Sequence, residues 1–120
     1  MADELKTPPH SAEAERGIIG SILLDTQFGE DARVLDLCLA RGLTPESFYE
    51  PRNRILYETF REMSGASAPI DAVTLTDRLR ATGRLDAVGG VAAIQALVDN
   101  TPTSAHAEYY IDIVRQKHLL

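Results

Sequence analysis

The sequence is poor in several features that would point to a particular compartment or chemistry. It has one cysteine, Cys38, no apolar run that approaches about 20 residues, and no signal-peptide pattern at its start. A single cysteine cannot form an internal disulfide, which favours a reducing compartment. We therefore expect a cytoplasmic protein with no membrane partner, and we expect Cys38 to be a buried apolar residue rather than a reactive thiol.

Clustered basic residues are also missing. The chain has 18 acidic and 12 basic residues among 120, a net charge of -6, and no block of lysine or arginine. Binding to a phosphate backbone gains its free energy from clustered cations that release counterions. Direct nucleic acid binding by this chain is therefore not expected.

Motifs for catalysis and cofactor binding are absent as well. Neither G-x-x-x-x-G-K-[ST] nor G-x-G-x-x-G occurs, and the pair Gly89 and Gly90 is followed by valine rather than lysine. His10, His106 and His118 have no partner at metal-ligand spacing. We predict no catalytic, cofactor-binding or metal-binding residue, so the chain alone is not an enzyme. A helical enzyme whose site is assembled only in space is the open alternative.

Helical apolar patterns separated by stop signals recur along the chain, and no segment alternates convincingly enough to predict a strand. The fold class predicted is all-α, a compact single-domain bundle of about six to eight helices. Residues 1–7 are predicted to be a flexible tail, residues 8–103 a helical core, and residues 104–120 a final helix.

The first helix has a sharp predicted start. Pro8 and Pro9 keep the entering chain extended, and Ser11 is placed to cap the first turn. Glu13 and Glu15 put negative charge at the positive end of the helix dipole, and we expect both to be solvated. An apolar stripe follows at spacings of three and four, formed by Ile18, Ile19, Ile22 and Leu23.

Start and stop signals predict the helices that follow. Pro45, after a capping Thr44, starts a short turn, and Pro51 starts a long helix. Asp71 caps another helix that ends at Gly83. Val34, Leu35, Leu37, Cys38 and Leu39 are predicted to belong to a second helix that ends near Gly42. Apolar stripes are predicted at Leu56, Phe60 and Met63, at Leu75 and Leu79, and at Val91, Ile94, Leu97 and Val98. Thr101 or Ser104 is predicted to start the last helix.

Two glycines inside the first helix, Gly17 and Gly20, each cost roughly 1 kcal/mol relative to alanine. Together with Ser21 they form a patch of small residues beside the apolar stripe. Close approach of another helix explains this cost. We favour a helix of the same domain over one from a second subunit.

The last helix is predicted to carry two adjacent apolar ridges and to bind a partner. The candidate partner-binding residues are Tyr109, Tyr110, Ile113, Val114 and Lys117. Core or half-core positions are the favoured alternative for the two tyrosines. No stop signal precedes Leu120, which predicts that a longer helix has been cut. A frayed natural terminus is the alternative.

Four sequence blocks together resemble the amino-terminal domain of bacterial replicative DNA helicases of the DnaB family. They are PPHSAEAE with an apolar helix ending in LLD, FYEPRNRILYETF, PIDAVTLTDRLRATGRLDAVGG, and NTPTSAHAEYYIDIVRQ. Their order and spacing match that family over nearly the whole chain from Pro8 onward. One departure is the segment between LLD and FYEP, which is several residues longer than is usual.

The resemblance implies a non-enzymatic collar domain of a ring-shaped hexameric helicase. In that family the collar domains pair through a helical hairpin and dock primase and, in some species, helicase loader proteins. Residues 104–120 would be the first arm of this hairpin, so the chain alone would form a weak dimer. ATP and magnesium would belong to a separate motor domain. The alternative function is a free-standing helical adaptor that binds another replication protein.

Overall fold

The computed structural model describes residues 11–27 and 32–118. The predicted tail, Pro8, Pro9, His10 and Leu120 lie outside the described residues. Within this part of the chain there are six α-helices and no strands, as the all-α prediction requires. The helices are α1 (Ala12–Gln27), α2 (Arg33–Ala40), α3 (Pro51–Gly65), α4 (Ala72–Ala81), α5 (Gly90–Asp99) and α6 (Ala107–His118), with 3₁₀ turns at Pro45–Ser47 and Asp86–Val88.

The first helix, α1, lies at the centre of the fold and packs against α2, α3, α5 and α6. Its predicted stripe is confirmed, because Ile18, Ile19, Ile22 and Leu23 are each at most 1% exposed. Helix α4 packs on α3 and α5 at the side of this arrangement. The apolar residues of the first sequence block therefore form the centre of the core.

Helix starts follow the predicted capping chemistry. Ser11 Oγ accepts a hydrogen bond from the backbone N–H of Ala14 at 3.1 Å. Asp71 Oδ1 accepts one from the N–H of Thr74 at 2.8 Å, and Thr74 Oγ1 accepts one from the N–H of Asp71. Helix α4 ends at Ala81, and Gly83 follows two residues later with a φ of +72°, in the left-handed region that favours glycine.

Asp25 at the other end of α1 performs a role that the sequence did not reveal. It is 4% exposed, and its Oδ2 accepts a hydrogen bond from the N–H of Val34 at 2.8 Å. Its Oδ1 lies 3.7 Å from a guanidinium nitrogen of Arg33. The carboxylate thus satisfies the first turn of α2, which has no capping bond from its own N-cap residue, Ala32.

The two glycines of α1 permit close packing inside the domain, as predicted. A Cβ built at Gly17 would stand 2.6 Å from the Tyr110 ring of α6. A Cβ at Gly20 would overlap Thr101 Oγ1 and stand 2.9 Å from the backbone oxygen of Leu97. Both glycines thus let α1 approach the end of α5 and the beginning of α6.

Two predictions for the carboxyl-terminal half are wrong. Val91 is 52% exposed, so it does not share the buried face of Ile94 in α5. The last helix starts at Ala107 rather than at Thr101 or Ser104. Thr101 donates its hydroxyl to the carbonyl of Leu97 at 2.8 Å, and so extends the end of α5 instead of capping α6.

Candidate protein-interaction site

The two acidic residues at the start of α1, Glu13 and Glu15, differ in solvent exposure and in hydrogen bonding. Glu13 is exposed, as expected. Glu15 is only 2% exposed, which corrects the prediction that it is solvated. Its carboxylate accepts hydrogen bonds from the N–H of Tyr49 at 2.6 Å, the N–H of Glu50 at 3.2 Å and Asn53 Nδ2 at 3.0 Å.

This buried carboxylate caps a helix that is distant in sequence. Glu50 is the N-cap residue of α3 and makes no capping bond with its own side chain. The amino end of α3 is the positive end of its dipole, so Glu15 supplies both a hydrogen-bond acceptor and a compensating charge. Sequence reasoning missed this role because the two partners are more than thirty positions apart.

The predicted partner-binding stripe of α6 divides into a buried and an exposed part. Val114 is 2% exposed and belongs to the domain core, together with Ile111, which the prediction omitted. Tyr110 and Ile113 are half-buried against that core, and Lys117 is half-buried. Tyr109 is 67% exposed, so the core or half-core alternative is wrong for this residue.

Ionic contacts hold the exposed face of α6 beside α2. The Arg41 guanidinium lies 2.6 Å from Glu108 Oε2 and 2.9 Å from Asp112 Oδ1. These contacts raise the pKa of Arg41, chiefly through the hydrogen bond to Glu108. Tyr109 lies between these two acidic residues in sequence, and its ring centroid is 6.3 Å from that of Tyr110. Tyr109 is thus an exposed aromatic residue beside the ion-paired side of α6.

A groove of about 520 Å³ opens where the beginnings of α1, α3 and α6 meet α5. We call it the α1–α5 groove. Apolar side chains line it at Val88, Ala93, Ala96, Leu97 and Tyr110, and charged or titratable side chains at Glu13, Arg16, Arg52 and His106. Gly17, Asn53, Asn100, Thr101, Pro102 and Thr103 complete the lining. Its size is typical of ligand-binding clefts.

Metal-ligating side chains and the one cysteine can be placed directly within the described part of the chain. No three of its His, Cys, Asp and Glu side chains gather as metal ligands. Burial raises the pKa of the Cys38 thiol to about 12, and the residue is fully enclosed, as predicted. None of the helices described is both long and apolar enough to cross a membrane.

The fold and these surfaces define a small all-α domain with an anchored carboxyl-terminal helix and an open groove. Residues 7–116 match the family described as DnaB-like helicase N terminal domain. The chain belongs to this family. It therefore corresponds to a part of the helicase that is not the motor.

Individual relatives agree with this assignment. The chain is 33% identical to the replicative DNA helicase DnaB of Haemophilus influenzae over 98% of its own length, and 35% identical to that of Leifsonia xyli over 96%. It spans only 24% of each of these helicases. The crystal structure of the N-terminal domain of DnaB helicase from Mycobacterium tuberculosis matches with a TM-score of 0.83 and 33% identity, covering 94% of this chain and 77% of that one.

Proposed function

We propose that this domain is the amino-terminal collar of a ring-shaped hexameric replicative DNA helicase, where it pairs with its own copies and docks primase. In some species the collar would also contact a helicase loader. The observation that carries the proposal is the family match over residues 7–116, which spans nearly the whole chain. The net charge of -6 supports a role in protein contacts rather than DNA contacts.

The remaining parts of the activity are assigned to the rest of the helicase. The chain spans about a quarter of the curated relatives, so ATP, magnesium and DNA translocation belong in this proposal to a separate motor domain. The assembled helicase would work in the bacterial cytoplasm, on the chromosome. The collar itself would contribute no catalytic residue.

Pairing is proposed to use the exposed side of α6 as the first arm of a helical hairpin. Tyr109 is the most exposed aromatic side chain in the described part of the chain. Tyr110 and Ile113 flank it with half-buried apolar surface, and Lys117 is half-buried farther along the helix. Val114 would support this surface from below, because its side chain is already buried in the core. Tyrosine suits such an interface because it is large and rigid.

Changing Tyr109 to aspartate should weaken self-association. We expect the chain to form dimers only at high concentration, because one hairpin arm buries little surface. The Y109D variant should raise the dimer dissociation constant at least about tenfold, a loss typical of an interface anchor. Sedimentation equilibrium from micromolar to millimolar protein measures this constant.

Val73→Asp is the matched control for Y109D. Val73 is 78% exposed and, like Tyr109, lies in the first turn of its helix, where aspartate is compatible with the helix dipole. V73D should leave the dimer constant within about twofold, since surface substitutions are usually small in effect. Pairing through α6 would be ruled out if the protein without substitutions stayed monomeric at millimolar concentration. Equal effects of Y109D and V73D on the dimer dissociation constant would also rule it out.

Primase docking can be tested with the carboxyl-terminal domain of a bacterial primase. We expect this domain to bind the full-length helicase that contains this collar, and to bind the chain alone more weakly because one arm presents fewer contacts. Isothermal titration calorimetry measures both affinities. Binding to the motor domain but not to a helicase fragment that retains the complete collar would contradict the docking proposal.

A further inference from the structure

The α1–α5 groove is positively charged although the chain as a whole is acidic. Arg16 and Arg52 line it, against a single carboxylate, that of Glu13. Both arginines are exposed, and neither forms an ion pair with another residue in the described ranges. By contrast, Arg33, Arg41 and Arg84 each bind at least one carboxylate. The groove thus offers two unpaired cations to a ligand.

The beginning of α5 adds to this positive potential. Its N-cap residue, Gly89, makes no side-chain capping bond, and its first turn contains no acidic residue. Arg52 lies close to this point, with its Nη1 3.7 Å from where a Cβ at Gly89 would stand. A cation beside the positive end of a helix dipole is unfavourable by itself. An anion placed there is stabilised both by the Arg52 guanidinium and by the amino end of α5.

A buried polar atom in the groove wall calls for a hydrogen-bond donor. Asn53 is fully buried, and its Nδ2 donates to Glu15, but its Oδ1 has no donor among the described residues. An enclosed acceptor without a donor is costly. The enclosed Oδ1 atom does not itself reach a ligand, but it makes the wall of the groove polar at Asn53, next to the aliphatic part of the lining.

The apolar lining sets the remaining requirement. Val88, Ala93, Ala96 and Leu97 present aliphatic surface next to the ring of Tyr110. A volume of about 520 Å³ lies within the range of clefts that hold compact ligands. A ligand with aliphatic side chains and carboxylates matches both the apolar lining and the positive charge of the groove.

We propose that the α1–α5 groove binds a short acidic peptide segment of a partner protein. An aliphatic side chain of this segment would contact Ala93 and Leu97, and a neighbouring carboxylate would lie between Arg52 and the beginning of α5. The proposal goes beyond pairing and primase docking, because it requires neither the hairpin nor an oligomer. Its test can therefore fail or succeed independently of theirs.

The test uses the whole chain at a concentration where it is monomeric and a fluorescein-labelled peptide of alternating aspartate and leucine. We expect saturable binding by fluorescence anisotropy that weakens as salt is raised. The same peptide with lysine in place of aspartate should not bind. Two-dimensional NMR of the labelled chain should show the largest amide shifts at Gly17, Ala93 and Leu97. Shifts confined to residues outside the groove would overturn the proposal.

Two pairs of variants test the groove itself. Arg52→Glu should weaken peptide binding at least tenfold, whereas Arg61→Glu, an exposed arginine of the same helix outside the groove, should change it less than twofold. Ala96→Trp should fill the groove and abolish binding. Ala92→Trp, on the same helix and also exposed, should not. Equal effects within either pair would overturn the proposal.

A single-stranded thymidine oligonucleotide and inorganic phosphate complete the experiment. Neither should displace the peptide at equal concentration, since inorganic phosphate has no apolar surface and the oligonucleotide has no flexible aliphatic side chain to place against Ala93 and Leu97 beside a carboxylate. An oligonucleotide that competes as well as unlabelled peptide would identify the groove as a nucleic acid site and contradict this assignment. Competition by phosphate alone would reduce it to a simple anion site.

Discussion

Replacing Glu15 with alanine should lower the free energy of unfolding by at least about 3 kcal/mol. The change leaves the N–H groups of Tyr49 and Glu50 and the amide of Asn53 without the acceptor they share. The Asn53 amide is buried and the two N–H groups are partly buried. A buried polar group that loses its partner costs roughly 1–3 kcal/mol, and the partly buried groups add to this cost. Urea unfolding followed by circular dichroism measures the difference from the midpoint and slope.

Glu13→Ala is the matched control for this prediction. Glu13 lies two residues earlier on the same helix and is exposed, so its loss should change stability by no more than about 0.5 kcal/mol. A Glu15→Gln variant keeps one acceptor oxygen and should lie between the two. If Glu15→Ala were no more harmful than Glu13→Ala, the carboxylate would not be what joins α1 to the start of α3.

Gly20→Ala should be the second strongly destabilising substitution, by about 2 kcal/mol or more. Alanine normally stabilises a helix interior by roughly 1 kcal/mol relative to glycine. Here the added methyl would overlap Thr101 Oγ1 and stand 2.9 Å from the carbonyl oxygen of Leu97, a backbone atom that cannot rotate away. Helix α1 must therefore move from α5, which disrupts the core around Ile19 and Leu23.

Gly65→Ala separates packing from helix propensity. Gly65 ends α3, and nothing lies within 4 Å of where its Cβ would stand. This substitution should therefore be neutral or stabilising by up to about 1 kcal/mol. Thermal unfolding of both variants in parallel would show opposite signs. A Gly20→Ala protein as stable as the parent would mean that α1 and α5 adjust without loss of packing.

Local signals predicted the elements whose causes lie within a few residues. Ser11 and Asp71 cap the helices they precede, and Gly83 turns the chain in the left-handed conformation just after α4. The stripe of α1 follows from helical periodicity alone. Such features depend on neighbours in sequence, so a single sequence contains them.

Features that depend on distant partners could not be predicted. Glu15 looks like an ordinary first-turn acid until α3 is placed beside it, and Asp25 looks like the end of α1 until α2 begins next to it. Threonine is a common N-cap residue, so Thr101 alone predicts a helix start. Its hydroxyl instead donates to the carbonyl of Leu97, and its side chain packs on Gly20. In each case a tertiary contact decided between roles that are locally equivalent.

The sequence predicts one of the two candidate surfaces in part and does not predict the other. Helical spacing in the sequence predicts the apolar stripe of α6. Which of its residues face solvent depends on how α6 packs against α1 and α2. The α1–α5 groove was not predicted at all. Arg16, Arg52 and Ala96 belong to three helices, and nothing in their spacing relates them to one another.

The enclosed thiol of Cys38 makes site-directed labelling straightforward. It is the single cysteine of the chain, it has no solvent exposure, and its pKa of about 12 keeps it protonated at the neutral pH used for maleimide coupling. One cysteine introduced on the surface, for example in place of Val73, would therefore carry a spin label or dye alone. Distances between copies in the proposed assembly could then be measured without first removing the native thiol, whose side chain fills part of the core.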